Sequence, residues 1–235
     1  MIVRRSYKNL GFADHGWLQA RHHFSFARYF DPDRMNWGAV RVWNDDRIAP
    51  DTGFGMHPHK DMEIVTYIRE GALTHEDSLG NKGRIEAGDV QVMSAGTGIV
   101  HSEYNREASD TRLFQIWIMP HQSGDKPSWG SRSFPKKDRA GRFVVLASGY
   151  PEDEDALPIH ADAAVLGATL NKGDVIDYPL EEQRYGYLVV SKGMIEIENC
   201  TLQEGDAAGL AEVETIFIEA KEDSDIVMVV TGAKI

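Results

Sequence analysis

The 235-residue sequence predicts an all-β chain, and three observations carry the prediction. Apolar residues fall in many short runs, with few long stretches of 3.6-residue period. Gly, Asp and Asn clusters stand between those runs at turn-like intervals. Hydrophobic residues make up 42% of the chain, enough for one sizeable core or two small ones. Many short strands spaced in this way build a sandwich or a barrel.

In chain order the expected strands are 39–43, 63–69, 90–93 and 113–119, followed by 143–146, 187–190, 194–197, 215–219 and 226–230. Turn signals separate them at Glu70-Gly71, Leu79-Gly80-Asn81, Ala87-Gly88-Asp89, Lys192-Gly193 and Glu204-Gly205-Asp206. Glu86-Ala87-Gly88-Asp89 recurs in type as Gln203-Glu204-Gly205-Asp206, as two copies of one β unit would produce. The stretch 121–142 is polar and rich in Gly, Ser and Pro, and the histidines thin out where it begins. The expected organisation is therefore a first domain over 1–125, a connection over 126–142 and a second domain over 143–235. The acidic run 152–155 is expected to be a solvated loop.

Charge narrows the function classes. Residues 1–121 carry 14 basic and 16 acidic side chains, whereas residues 122–235 carry 11 and 21, so the second half holds −10 of the net −12. An acidic surface repels phosphates, which argues against direct nucleic-acid binding. No stretch approaches the roughly 18 apolar residues of a membrane span, and no apolar segment follows the N-terminal arginines. The expectation is a soluble, cytoplasmic protein without membrane contact, and a monomer. A single cysteine, Cys200, excludes an intramolecular disulfide and a thiolate-rich zinc site. Any metal must be held by nitrogen and oxygen.

Eight of the nine histidines lie within the first 121 residues. Residues two apart on a strand point to the same face. His57-Pro58-His59 thus sets two imidazoles side by side, and His101-Ser102-Glu103 sets an imidazole beside a carboxylate. If the two segments neighbour one another in a small barrel, three histidines and one carboxylate converge on its interior. Pro58 requires an edge, a strand start or a bulge, as a barrel rim allows. Neutral imidazoles and a carboxylate suit Fe(II), Mn, Co, Ni, Cu or Zn, and donor type alone does not choose among them. Four protein ligands on a six-coordinate ion leave two positions open for substrate or dioxygen. Gly96-Thr97-Gly98 lacks a following Lys and helix, and no Gly-x-Ser-x-Gly elbow is present, so phosphate-loop and serine-hydrolase chemistry are not expected.

The run 53–71, GFGMHPHKDMEIVTYIREG, resembles the first cupin motif, and 88–105, GDVQVMSAGTGIVHSEYN, resembles the second. Together with HHFSFARYFDP (22–32), RVWNDDRI (41–48), EDSLGN (76–81) and FQIWIMP (114–120), the sequence resembles the pirin family over most of residues 14–120. The resemblance implies a bicupin of two β-barrel (jelly-roll) domains, with metal in the first and none in the His-poor second. It implies His57, His59, His101 and Glu103 as metal ligands, with Glu103 also a candidate catalytic base. Glu63, at a position where many cupins bind metal, is expected instead to be a hydrogen-bonded strand carboxylate beside the site. Ser94, where cupins usually carry Pro, is a pirin-like feature.

What the resemblance implies about activity is a quercetin 2,3-dioxygenase. Fe(II) would be the ion, with O2 and a small planar phenolic (flavonol-like) molecule as substrates and ring opening that releases carbon monoxide. The alternative is a non-catalytic metal or redox sensor that binds a protein partner, for which the acidic half would present the surface. Around the site, His22, His23, Phe24 and Phe26 fit either a pocket mouth or ordinary packing. Gln115, Trp117 and Met119 share one strand face that fits a pocket wall or a core. His75 is expected to be a hairpin residue.

Overall fold

The structure, a computed structural model, describes residues 1–233. The described chain is nearly all β. Its first half carries β1 (Ile2–Arg5), β2 (Gly11–Asp14), β3 (Leu18–His22), β4 (Val40–Ile48), β5 (Thr52–His59), β6 (Glu63–Glu70), β7 (Ala72–Asp77), β8 (Lys82–Glu86), β9 (Asp89–Ser94), β10 (Ile99–Asn105), β11 (Thr111–Ile118) and β12 (Ser128–Ser133). The second carries β13 (Val144–Ser148), β14 (Leu157–Pro158), β15 (Ala163–Leu170), β16 (Val175–Pro179), β17 (Tyr185–Lys192), β18 (Met194–Ile197), β19 (Cys200–Gln203), β20 (Ala207–Ala211), β21 (Thr215–Ala220) and β22 (Ser224–Thr231).

Each half is a cupin-type barrel made of one seven-stranded and one four-stranded sheet. The first joins β12-β9-β6-β11-β4-β3-β2 to β5-β10-β7-β8, and the second joins β1-β20-β17-β22-β15-β13-β14 to β16-β21-β18-β19. The repeat at Glu86–Asp89 and Gln203–Asp206 marks the same corner in both, since it leads from β8 to β9 and from β19 to β20. Gly88 and Gly205 turn that corner at φ of 96° and 80°, a region that favours glycine.

Two segments tie the halves together. β1 pairs with β20, so the first strand of the chain lies in the second barrel's sheet. The expected connection over 126–142 is itself ordered: β12 pairs with β9, because Trp129 packs against the apolar interior of the first barrel. The 3-10 turn Lys136–Arg139 buries Arg139, which donates to the Tyr67 hydroxyl at 2.7 Å.

The two seven-stranded sheets bury their outer faces against each other. Alternate residues explain which side chains meet there: Val65 and Tyr67 on β6, Phe114 and Ile116 on β11, Tyr187 and Val189 on β17, and Val227 and Val229 on β22 share one apolar cluster. Both faces of these strands are thus buried, which is why they read in sequence as continuous apolar runs. Polar stitches cross the same interface. Arg69 donates to both Asp45 oxygens at 2.7 Å, to Ser191 and, at 2.8 Å, to Glu204, and lies 4.6 Å from the Phe114 ring centre. Glu63, on the outward face of β6, accepts from the Ser94 hydroxyl at 2.6 Å and from the His160 backbone N–H at 3.1 Å.

The barrel interiors differ. The second is one continuous apolar cluster that includes Ile176, Ile216 and Ile218 on its four-stranded sheet. The first splits into two apolar clusters, one around Leu18, Ile68 and Leu113 and the other around Ile64, Met93 and Ile99. Between these clusters lies the candidate site.

Arg69 and Asp45 are both almost wholly buried. Removing one partner of a buried ion pair leaves the other uncompensated. Arg69→Ala should therefore cost about 3–5 kcal/mol, read as a lower midpoint of urea unfolding. A midpoint equal to that of the unaltered protein would contradict this role.

Candidate metal centre

The site forms where the two sheets of the first barrel face each other. On the four-stranded sheet, β5 and β10 run antiparallel with His57 opposite His101 and His59 opposite Ile99. Beyond His101 the register shifts, so that Glu103 faces Phe54. β5 therefore spends one extra residue over Gly55-Met56, a bulge that turns Phe54 and His57 to the same cavity and leaves Met56 exposed. Gly53 permits the close approach of the two strands, since a Cβ there would stand 2.2 Å from the Glu103 carbonyl oxygen. β5 is the edge strand of its sheet, a place that tolerates Pro58.

This geometry gathers three imidazoles. Ring centres of His57, His59 and His101 are 4.4–4.9 Å apart, and one nitrogen from each lies within 4.8 Å of the others. His57 Nδ1 donates to the Gly55 carbonyl at 2.7 Å, which leaves its Nε2 as a lone-pair donor. That Nε2 stands 3.1 Å from His101 Nε2. Two nitrogens each about 2.1 Å from one ion at right angles are separated by about 3 Å, so the pair fits a shared cation. Burial and the neighbouring His57 hold the His59 pKa down at about 4, and burial with His57, His59 and His75 nearby pushes His101 far lower. Both are thus neutral at neutral pH, the form in which an imidazole can bind a cation. The donor set suits a divalent transition ion.

The opposing seven-stranded sheet answers with a row of polar side chains. Directly opposed residues on five successive strands are Gln91, Thr66, Gln115, Asn44 and His22. Glu103 reaches into this row. Its Oε1 accepts from Gln91 Nε2 at 2.5 Å and from Thr66 Oγ1 at 3.4 Å, and its Oε2 accepts from Gln115 Nε2 at 2.8 Å. Each amide is oriented in turn by an indole: Trp129 Nε1 donates to Gln91 Oε1 at 3.0 Å and Trp117 Nε1 donates to Gln115 Oε1 at 3.2 Å. Burial raises the Glu103 pKa to about 7 even though these three donors favour the carboxylate. A Glu103 oxygen lies within 4.8 Å of nitrogens of His101 and His75, while His57 and His59 fall outside that grouping.

Several sequence expectations find their places here. His22 and Phe26 line the cavity, and His22 Nδ1 donates to Asn44 Oδ1 at 2.8 Å. His23 and Phe24 instead face the second barrel, where His23 Nδ1 stands 3.0 Å from the Tyr187 hydroxyl. Gln115 and Trp117 form cavity wall, whereas Met119 packs into the core between the sheets. His75 is a hairpin residue as expected, opposite Gly83 in the β7–β8 pair, and it also reaches the site. It is fully buried, stacks on Trp129 at 5.0 Å and has Nε2 3.1 Å from Asp77 Oδ2, because β7 pairs with β10 and sets His75 opposite Glu103. Gln91, Thr66, Asn44, Asp46 and Trp129 carry no spacing motif. Asn44, Asp46, Thr66 and Gln91 lie within the family-like runs 41–48, 53–71 and 88–105, but nothing in their spacing marks them as site residues, and Trp129 lies outside those runs.

A cavity of about 720 Å³ opens beside the imidazoles. Phe12, Phe26, Phe54 and Trp117 give it aromatic walls, and Asn44, Asp46, Glu103 and Gln115 give it polar points. Such a space takes a flat, largely apolar molecule with a few oxygens. No helix among the described residues is long and apolar enough to cross a membrane.

Comparison with known proteins agrees with this architecture. Residues 3–118 match the pirin family model, and residues 145–229 match the model of a quercetinase C-terminal cupin domain. A Zymomonas mobilis protein provisionally named a quercetin 2,3-dioxygenase is 94% identical over the whole of both chains. The quercetin 2,3-dioxygenase of Escherichia coli K12 is 40% identical over 97% of each. A crystal structure of a bacterial pirin from Escherichia coli in complex with nickel(II) superposes over 100% of both chains with a TM-score of 0.93 at 38% identity. The two-barrel fold, the matched segments and the extent of these similarities lead to one conclusion: the chain belongs to the pirin family.

Proposed function

We propose that the protein is a metal-dependent dioxygenase that opens the heterocyclic ring of flavonols such as quercetin with O2 and releases carbon monoxide. The observation that carries this reading is the three-imidazole cluster at the edge of a cavity with aromatic walls. The name of the 40% identical Escherichia coli relative supports it. His57, His59 and His101 are proposed to hold the ion, Fe(II) in our reading, with Glu103 as fourth ligand. When bound, the ion would supply Lewis acidity toward the substrate oxygens and redox access to O2.

The chain's own residues would do the rest. Phe26, Phe54 and Trp117 pack against the planar rings and keep water from them. Glu103 takes the proton of the 3-hydroxyl: burial raises its proton affinity to a pKa of about 7 in the metal-free protein, and because a bound cation would lower it again, Glu103 acts as base when its carboxylate has left the ion. Gln91 and Gln115 hold that carboxylate in place through the proton transfer, and the two indoles keep the amides from flipping. His57 is oriented by the Gly55 carbonyl.

Anaerobic reconstitution with Fe(II), metal quantification and O2 uptake with quercetin test the proposal. His57→Ala should lose bound metal and turnover together. Glu103→Ala should lower turnover by roughly 100-fold or more, the scale of a lost general base. Wild-type turnover in Glu103→Ala, or a protein that takes up no metal, would overturn it.

Burial of Glu103 also makes a pH prediction for the metal-free protein. Its folded pKa of about 7 lies above the ordinary 4.5, so the penalty is absent below about pH 4.5 and grows as pH rises through 7. Its full size is about 3 kcal/mol. The melting temperature of Glu103→Gln relative to the unaltered protein should therefore shift in the variant's favour between pH 5 and pH 8. A difference that stays constant over that interval would contradict the burial of an uncompensated carboxyl.

A further inference from the structure

Asp46 is a buried acid that neither the packing nor the proposed ion explains. It sits on β4 two residues beyond Asn44 and so faces the same interior. Its cross-strand neighbours are Leu113 and Ala20, and Leu113 in turn opposes Ile68. That row is apolar but for Asp46. The side chain is 2% exposed, lines the cavity, and has an Oδ1 with no hydrogen-bond partner among the described residues. A carboxyl left in this state is costly, and a leucine of similar size would complete the apolar row.

No cation reaches it. Arg69 is committed to Asp45, which faces outward from the same strand. Burial above all, followed by the nearby charges of Asp45 and Glu103, holds the Asp46 carboxyl well above its ordinary range. Its protonated form is favoured over that of a free carboxyl, and in either form it has an oxygen to offer a ligand hydroxyl. No hydrogen bond links it to His57, His59, His101 or Glu103 among the described residues.

We propose that Asp46 contacts the substrate directly, its carboxyl forming a hydrogen bond from the seven-stranded wall of the cavity with a hydroxyl oxygen of an uncharged planar polyphenol. The inference rests on the flavonol-dioxygenase reading and deepens it: Asp46 selects among phenolic ligands by requiring an oxygen at its position. It also gives the Asp46 Oδ1, which has no partner among the described residues, a partner in the complex.

Anaerobic titration of the metal-loaded protein with quercetin, followed by tryptophan quenching and flavonol absorbance, tests this with two variants. Asp46→Leu should weaken quercetin binding roughly tenfold or more while melting at or above the temperature of the unaltered protein, because an unpaired polar group gives way to an apolar one. Asp46→Asn keeps an N–H donor and should bind within about threefold of the unaltered protein. Quercetin binding by Asp46→Leu equal to that of the unaltered protein would overturn the inference, as would equal loss in the Asn and Leu variants. A lower melting temperature in Asp46→Leu would overturn it too, by assigning the residue to the fold. If the unaltered, metal-loaded protein binds no quercetin, the flavonol reading falls and takes this inference with it. That outcome is distinct from binding that Asp46→Leu leaves unchanged.

Discussion

A carboxylate buried without a basic side chain beside it is the constraint around which the first barrel is arranged. Glu103 is 1% exposed, and what keeps it in place is neutral: two glutamine amides and a threonine hydroxyl. Each amide must turn its N–H2, not its oxygen, to the carboxylate, and the Trp129 and Trp117 N–H groups, which can only donate, fix that orientation by bonding the amide oxygens. The arrangement demands that β9, β6 and β11 be in one register, so that Gln91, Thr66 and Gln115 fall side by side. A slip of one residue on any of these strands would turn its member of the row out of the barrel. The second barrel has no such demand. Its interior is continuous hydrocarbon, with isoleucines on β16 and β21, the strands that occupy the places of β5 and β10 in its four-stranded sheet.

The register is protected from behind. The sheet that bears the polar row turns its other face against the second barrel, where Tyr67, Phe114 and Ile116 meet Tyr187, Val189 and Val227. Arg69, Arg139 and Glu63 add polar bonds across the same boundary. The second barrel thus covers the outer face of the site-bearing sheet with a close-packed apolar layer. Chain crossings at both ends of the first barrel, β1 and β12, make that attachment covalent as well as packed.

The fold class and the clustering of imidazoles were legible because both depend on short-range periodicity. His57 and His59 share a face by the two-residue repeat of a strand, and the apolar runs of β6, β11, β17 and β22 announce sheets buried on both sides. Strand ends were less legible where function intrudes. The expected strand over 39–43 extends in the structure to Ile48, through Asn44, Asp45, Asp46 and Arg47, because those polar residues find partners or a cavity that no local pattern reveals. The edge strand β5 looks unlike a strand in sequence, being rich in Gly, His and Pro, and its bulge at Gly55-Met56 is visible only once it is paired with β10. The position of His75 beside His101, and the alignment of Gln91 with Trp129, follow from pairings between residues tens of positions apart. A two-residue repeat carries no information about such pairings.

The central claim is that one ion sits among His57, His59 and His101, beside the carboxylate that the polar row holds. Anomalous diffraction from a crystal of the metal-loaded protein, recorded at the absorption edge of the bound ion, tests it most directly. A single strong peak is expected within bonding distance of one nitrogen from each of the three imidazoles, at the mouth of the aromatic-walled cavity. A peak elsewhere in the molecule, or one coordinated by His75 and Glu103 without His57 and His59, would contradict it.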